Sequence, residues 1–159
     1  VRKGSSSDAV RPPSTPNTTA AIRALQSDAT LVTLFELFDR SVFGGRLKAQ
    51  VACKWSKRLL TTAGITRMKL LSGRPISDPA ARSGTIELAT KILDTRERLE
   101  ETLLHEMCHA GAWIVDGERK PPHGACFWKW AKLGSQVTGL PVSRCHDYAI
   151  SYKHNWRCS

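Results

Sequence analysis

The sequence predicts an α+β domain: a leading helix, a small three-stranded sheet, then two helices packed together. Three observations carry that expectation. Apolar residues recur at helical intervals over residues 20–43, three short stretches bounded by Gly, Pro and Ser follow, and helical periodicity returns from Leu99 to Cys108 and over residues 125–133. Residues 1–19 are rich in Ser, Pro and Thr with almost no large apolar side chain, the composition of a disordered tail. In the leading helix Ile22, Leu25, Leu31, Leu34, Phe35, Leu37 and Phe38 share a face, Asp28 or Thr30 is placed to cap the main part, and Gly44-Gly45 ends it. Residues 51–56, 65–71 and 84–89 read as strands. Asp94 and Glu97 have capping-box spacing before the next helix, with Gly111 close behind it.

That helix holds the most specific signal, His105-Glu106-Met107-Cys108-His109. Residues four apart on an α-helix project from one face about 6 Å apart along its axis, so both imidazoles can reach one zinc ion. Glu106 lies on the adjoining edge, where a carboxylate can take a proton from a metal-activated water. A catalytic zinc takes three protein ligands and keeps one position open. His123, in Pro121-Pro122-His123-Gly124 at the start of the last helix, is the candidate third ligand, because the intervening loop is long enough to turn the chain back. Asp116, in Asp116-Gly117, reads as a turn residue. Tyr148, Tyr152, His146 and Arg119 have the chemistry to stabilise an oxyanion, and nothing in the sequence selects among them.

Several of these segments together resemble the SprT-like zinc metalloprotease family. The resemblance rests on the run from Leu103 to Ala110, on His123-Gly124 with Phe127 beyond it, on the segment from Leu34 to Arg46 with its Phe-Gly-Gly-Arg-Leu turn, and on Tyr152 to Cys158. It covers about residues 30 to 159 and implies a zincin-like metalloprotease fold over residues 20–144. It further implies one catalytic Zn2+ held by His105, His109 and His123, with Glu106 catalytic. Family members continue into a cysteine-paired zinc ribbon, so residues 145–159 are expected to be the beginning of a truncated one. Cys145, His146, His154 and Cys158 lack the paired Cys-x-x-Cys elements of a complete structural site. The resemblance also implies a substrate class, proteins covalently trapped on DNA, with DNA as activator.

The third strand runs straight into the motif helix, which suggests an exposed edge beside the metal, with Ile86 and Leu88 buried and Thr85 and Glu87 outward as peptide-binding positions. Charge is uneven: between Arg40 and Arg82 the only acidic residue is Asp78, whereas Asp94 to Glu118 is acidic. With a net charge of +10, that asymmetry fits a polyanion-binding face. Phe127, Trp128 and Trp130 read mainly as packing, and Tyr152, Trp156 and Arg157 as the DNA-binding candidates. An odd, scattered set of five cysteines suits a reducing compartment, the nucleus or cytosol, rather than a disulfide scaffold. The expected activity is therefore that of a zinc endopeptidase stimulated by DNA. A zinc hydrolase acting on another substrate and a noncatalytic nucleic-acid-binding module with a metal site are the alternatives.

Overall fold

The computed structural model describes residues 19–145 and residue 148. Helices α1 (Thr19–Leu25) and α2 (Asp28–Val42) lead into strands β1 (Val51–Ser56) and β2 (Gly64–Leu70); a short 3-10 turn precedes β3 (Arg82–Ala89), and helices α3 (Arg96–Ile114) and α4 (Ala125–Thr138) complete the order. The α+β order expected from periodicity is the observed one. The expected tail, apart from Thr19, lies outside the described residues, as do Tyr152, Trp156, Arg157 and the ribbon positions His146, His154 and Cys158.

Local chemistry sets the boundaries. Ser27, rather than Asp28 or Thr30, caps α2, its hydroxyl accepting from the Thr30 backbone N–H at 3.1 Å. At the other end Gly44 and Gly45 adopt φ of 66° and 73°, left-handed values that glycine tolerates, and the Gly45 N–H returns to the Asp39 carbonyl. The buried Asp39 carboxylate then accepts the N–H groups of Leu47 and Lys48 at 3.0 and 2.9 Å, locking the turn that drives Phe43 and Leu47 into the core. Thr95 caps α3 in place of the expected Asp94, whose carboxylate pairs with Arg98 instead.

The sheet order is β1-β3-β2, with β3 parallel to β1 and antiparallel to β2. This corrects the expectation of an edge at β3. Thr85 is paired with Ala52 and Arg67, and Glu87 with Lys54 and Ile65, so neither offers main-chain groups to a peptide. The reason is burial: Ile86, Leu88 and Ala89 are fully buried, and the strand with the most deeply buried residues takes the centre. The edge that approaches the motif helix is β2.

Helices α2, α3 and α4 enclose the core on one side of the sheet, and α3 is buried along most of its length, from Leu99 to Ile114. Gly111 does not end α3 as expected; it lies within the helix, where Phe43 and Trp130 press against it. A Cβ there would sit 2.7 Å from Phe43 Cε1 and 3.2 Å from Trp130 Cδ1. Alanine would gain about 1 kcal/mol of helix propensity and lose about 1–3 kcal/mol to overpacking. Gly111→Ala is accordingly expected to lower the thermal midpoint by a few degrees, measurable by circular dichroism, and an unchanged or raised midpoint would show that Phe43 yields freely.

Candidate metal centre

Three histidines from two elements converge. His105 and His109 lie one turn apart on α3, and His123 precedes α4; one ligand atom of each lies within 4.8 Å of the others. The Nε2 atoms of His109 and His123 stand 3.2 and 3.3 Å from His105 Nε2. Tetrahedral ligands each about 2.0–2.1 Å from a zinc ion are themselves about 3.3 Å apart, so the spacing fits such an ion.

Phe127 holds the three rings in place. Its own ring is fully buried, with centroids 5.1, 4.6 and 4.7 Å from those of His105, His109 and His123. Because His123 stands just ahead of α4 and Phe127 lies in its first turn, the start of α4 positions both the third imidazole and the wall behind all three. The start of α4 is secured from the loop: its N-cap, Gly124, brings no side-chain bond, and the Glu118 carboxylate accepts the Cys126 N–H at 3.3 Å instead. A Cβ on Gly124 would collide with that carboxylate at 2.2 Å. Asp116, expected as a turn residue, also accepts from Trp130 Nε1 at 2.7 Å and so fastens the turn to α4.

Glu106 is buried beside the triad, and its carboxylate accepts from the Thr66 hydroxyl of β2 at 2.7 Å. The same hydroxyl lies 3.0 Å from the Glu106 backbone carbonyl. Strand and helix approach this closely because residue 64 is glycine: a Cβ there would stand 2.9 Å from both Glu106 Cγ and Thr102 Cγ2. Sequence reasoning missed Thr66 and Gly64, since a threonine and a glycine at a strand's start carry no signal until the helix they face is known.

Burial pushes the Glu106 carboxyl up to about 7 against the lowering effect of the Thr66 hydrogen bonds. His109 is pushed down to about 4, by burial first and then by His123, while a hydrogen bond with the Pro122 backbone opposes the shift. His123 is lowered by burial and by the Arg144 charge. Neutral imidazoles are the form a metal requires.

A cleft opens on both sides of these groups. One cavity of about 390 Å³ lies between the start of β2 and Arg119, Lys120 and Pro122. The other, about 280 Å³, runs from Thr61 and Thr62 to Arg144 and Cys145. Glu106 and His109 border both. Of the oxyanion candidates, Arg119 therefore lines the cleft, whereas the Tyr148 hydroxyl donates to Glu101 at 3.1 Å. Cys145 is a free thiol on the cleft wall.

A small α+β domain with this helix-borne triad has the zincin-like arrangement. Residues 31–146 match the model of the SprT-like family, and the chain belongs to that family. It is 39% identical over 129 residues to an HMG box-containing protein of Schizosaccharomyces pombe, covering 76% of this chain and 34% of that protein. Human germ cell nuclear acidic protein is 31% identical over 134 residues, 83% of this chain and 19% of its own length. The DNA-dependent metalloprotease SPRTN of Bos taurus is 34% identical over 133 residues, 79% of this chain and 25% of its own length. The chain thus spans about a third or less of these relatives.

The perturbed groups set a pH signature for the metal-free protein. Folded Glu106 keeps its proton to about 7 whereas an unfolded glutamate releases it near 4.5, so its contribution is full below 4.5 and is lost as pH rises to about 7. His109 acts oppositely: its contribution is full above 6.5 and is lost as pH falls to about 4. Chelator-treated Glu106→Gln should therefore gain thermal stability from pH 4 to 6.5 more steeply than wild type and melt above it at pH 8. A Gln variant melting below wild type at pH 8 would contradict a buried, costly carboxylate.

Proposed function

We propose that this chain is the catalytic domain of a zinc-dependent endopeptidase, stimulated by DNA and acting in the nucleus on proteins covalently crosslinked to DNA. The observation that carries the peptidase reading is the meeting of three Nε2 atoms and a buried carboxylate in one open cleft beside β2, an edge strand among the described residues. Support for the DNA arm comes from relatives whose names specify a DNA-dependent metalloprotease and from the net charge of +10.

His105, His109 and His123 would hold one Zn2+, which when bound acidifies a water and polarises the scissile carbonyl. The remaining chemistry falls to the chain. The β2 edge can pair with an extended substrate through main-chain hydrogen bonds, the role first assigned to Thr85 and Glu87 of β3. Glu106, once ionised, takes the proton of the attacking water and returns it to the leaving nitrogen. Thr66 orients that carboxylate and favours its ionised form. Arg119 supplies a cation on the cleft wall to which developing negative charge is drawn.

Glu106→Gln should fold and retain metal while peptide cleavage falls by at least about 10²-fold. Full activity in that variant would dismiss Glu106 as the base. His123→Ala should lose zinc, read by elemental analysis after dialysis; stoichiometric zinc in the variant would require another third ligand. Thr66→Val removes the hydroxyl hydrogen bond that lowers the Glu106 carboxyl while keeping the backbone one, so the acid limb of the pH–rate profile should move to higher pH, and a limb that stays or moves lower would exclude this role for the hydroxyl. Cleavage of a DNA-bound protein, run with and without single-stranded DNA and with chelator, tests the substrate class. Metal-dependent cleavage indifferent to DNA would replace it with a zinc hydrolase of another substrate.

A further inference from the structure

Among the described residues, the helices cover one face of the sheet and leave the other open. Strand alternation turns Lys54 of β1, Glu87 of β3, and Arg67 and Lys69 of β2 onto that open face. Lys57 and Arg58, just beyond β1, join Lys54 and Glu87 around a groove of about 370 Å³. Glu87 is the sole carboxylate among these residues and is already engaged, 3.1 Å from Arg67 Nε and 3.6 Å from Lys54 Nζ. Lys57, Arg58 and Lys69 have no ion pair among the described residues, whereas Lys48, Arg96 and Lys129 elsewhere on the surface are each paired with an acid.

The remaining outward strand positions, Ala52, Ile65, Ser83 and Thr85, bring no aromatic ring. Such a face neutralises charge, and the one ring that borders the groove, Trp55, is half-buried against the core with its Nε1 donating to the Ser27 carbonyl at 3.4 Å, so charge rather than base stacking is what the face offers. Its cations stand on a rigid lattice, about 6.8 Å apart for alternate residues of one strand and about 4.8 Å between strands. A polyanion with regularly repeated charge matches that array. Strand β2 also connects it to the cleft, because the strand that turns Arg67 and Lys69 outward brings Thr66 to Glu106 on its other side.

We propose that the open face of the sheet binds the phosphodiester backbone of nucleic acid, holding a DNA-attached protein one strand away from the cleft. This rests on the DNA-dependent reading above and adds the surface that serves it. Binding of fluorescent single-stranded and duplex oligonucleotides to the whole chain tests it, comparing wild type with Lys54→Glu/Lys57→Glu/Arg58→Glu, three groove cations that lie off the β2 edge. Zinc content and cleavage of a free peptide serve as controls, expected to be unchanged because none of the three side chains borders the metal. The triple variant should bind at least 10-fold more weakly, with a plot of log affinity against log salt shallower by about 2 for a single strand. Its loss should be the same for oligonucleotides of different base composition. Wild-type affinity and salt slope in the variant would overturn the surface while leaving DNA dependence intact. No binding of either oligonucleotide by wild type would remove DNA dependence and this surface together. Displacement of the oligonucleotide by polyglutamate more effectively than by unlabelled DNA would overturn the proposal in favour of an acidic protein partner.

Discussion

Everything in this fold is arranged around a helix with almost no solvent face. From Leu99 to Ile114, α3 is enclosed by the sheet, α2 and α4, and the candidate site lies within the same stretch, so His105 and Glu106 are embedded in the core rather than mounted on a surface. A buried polar group without a partner costs roughly 1–3 kcal/mol, so the groups that meet these side chains matter. The carboxylate is met by a hydroxyl from β2, and the imidazoles are met by one another and by the face or edge of Phe127. Gly64 and Gly111 belong to the same constraint, because each marks a place where a neighbour approaches α3 too closely for a side chain.

How far the sequence could be read follows from the range of the forces involved. Periodicity and local turn chemistry act over a few residues, which is why the expected range of β1 matches to the residue and Phe127 and Trp130 lie in the core as expected, whereas Trp128, read with them as packing, is 41% exposed. His105 and His109 were legible because one helix fixes their relation. The meeting with His123 depended on a loop and on α4 turning back, where spacing suggests reach and the Glu118 and Asp116 contacts determine position. Strand order is a nonlocal choice among three similar segments, and adjacency to α3 does not make β3 an edge because Ile86, Leu88 and Ala89 are buried at the centre of the sheet. The cap of α3 shifted from Asp94 to Thr95 because Asp94 had a nearby cation to satisfy it.

The two faces of the sheet divide the work by polarity. Toward the helices it presents Ile86, Leu88 and Thr66; toward solvent it presents cations balanced in part by Glu87. The charge asymmetry visible along the chain thus becomes a spatial one, since the basic stretch builds the strands and the acidic stretch builds the helix and the loop behind them. Parts of the acidic stretch are consumed internally: Asp116 by Trp130 and Lys129, Glu118 by the start of α4.

The Thr66 hydroxyl has one hydrogen and two oxygens of the same residue within reach, the Glu106 carboxylate at 2.7 Å and its backbone carbonyl at 3.0 Å. When the carboxylate is ionised, the hydroxyl can donate to it; when Glu106 carries a proton, that proton can be given to the hydroxyl oxygen, whose own hydrogen swings to the carbonyl. Both charge states are satisfied by rotation about a single C–O bond, with no heavy atom displaced. In the proposed peptidase cycle, where Glu106 would accept and then surrender a proton in every turnover, its surroundings are thereby spared any rearrangement between the two halves.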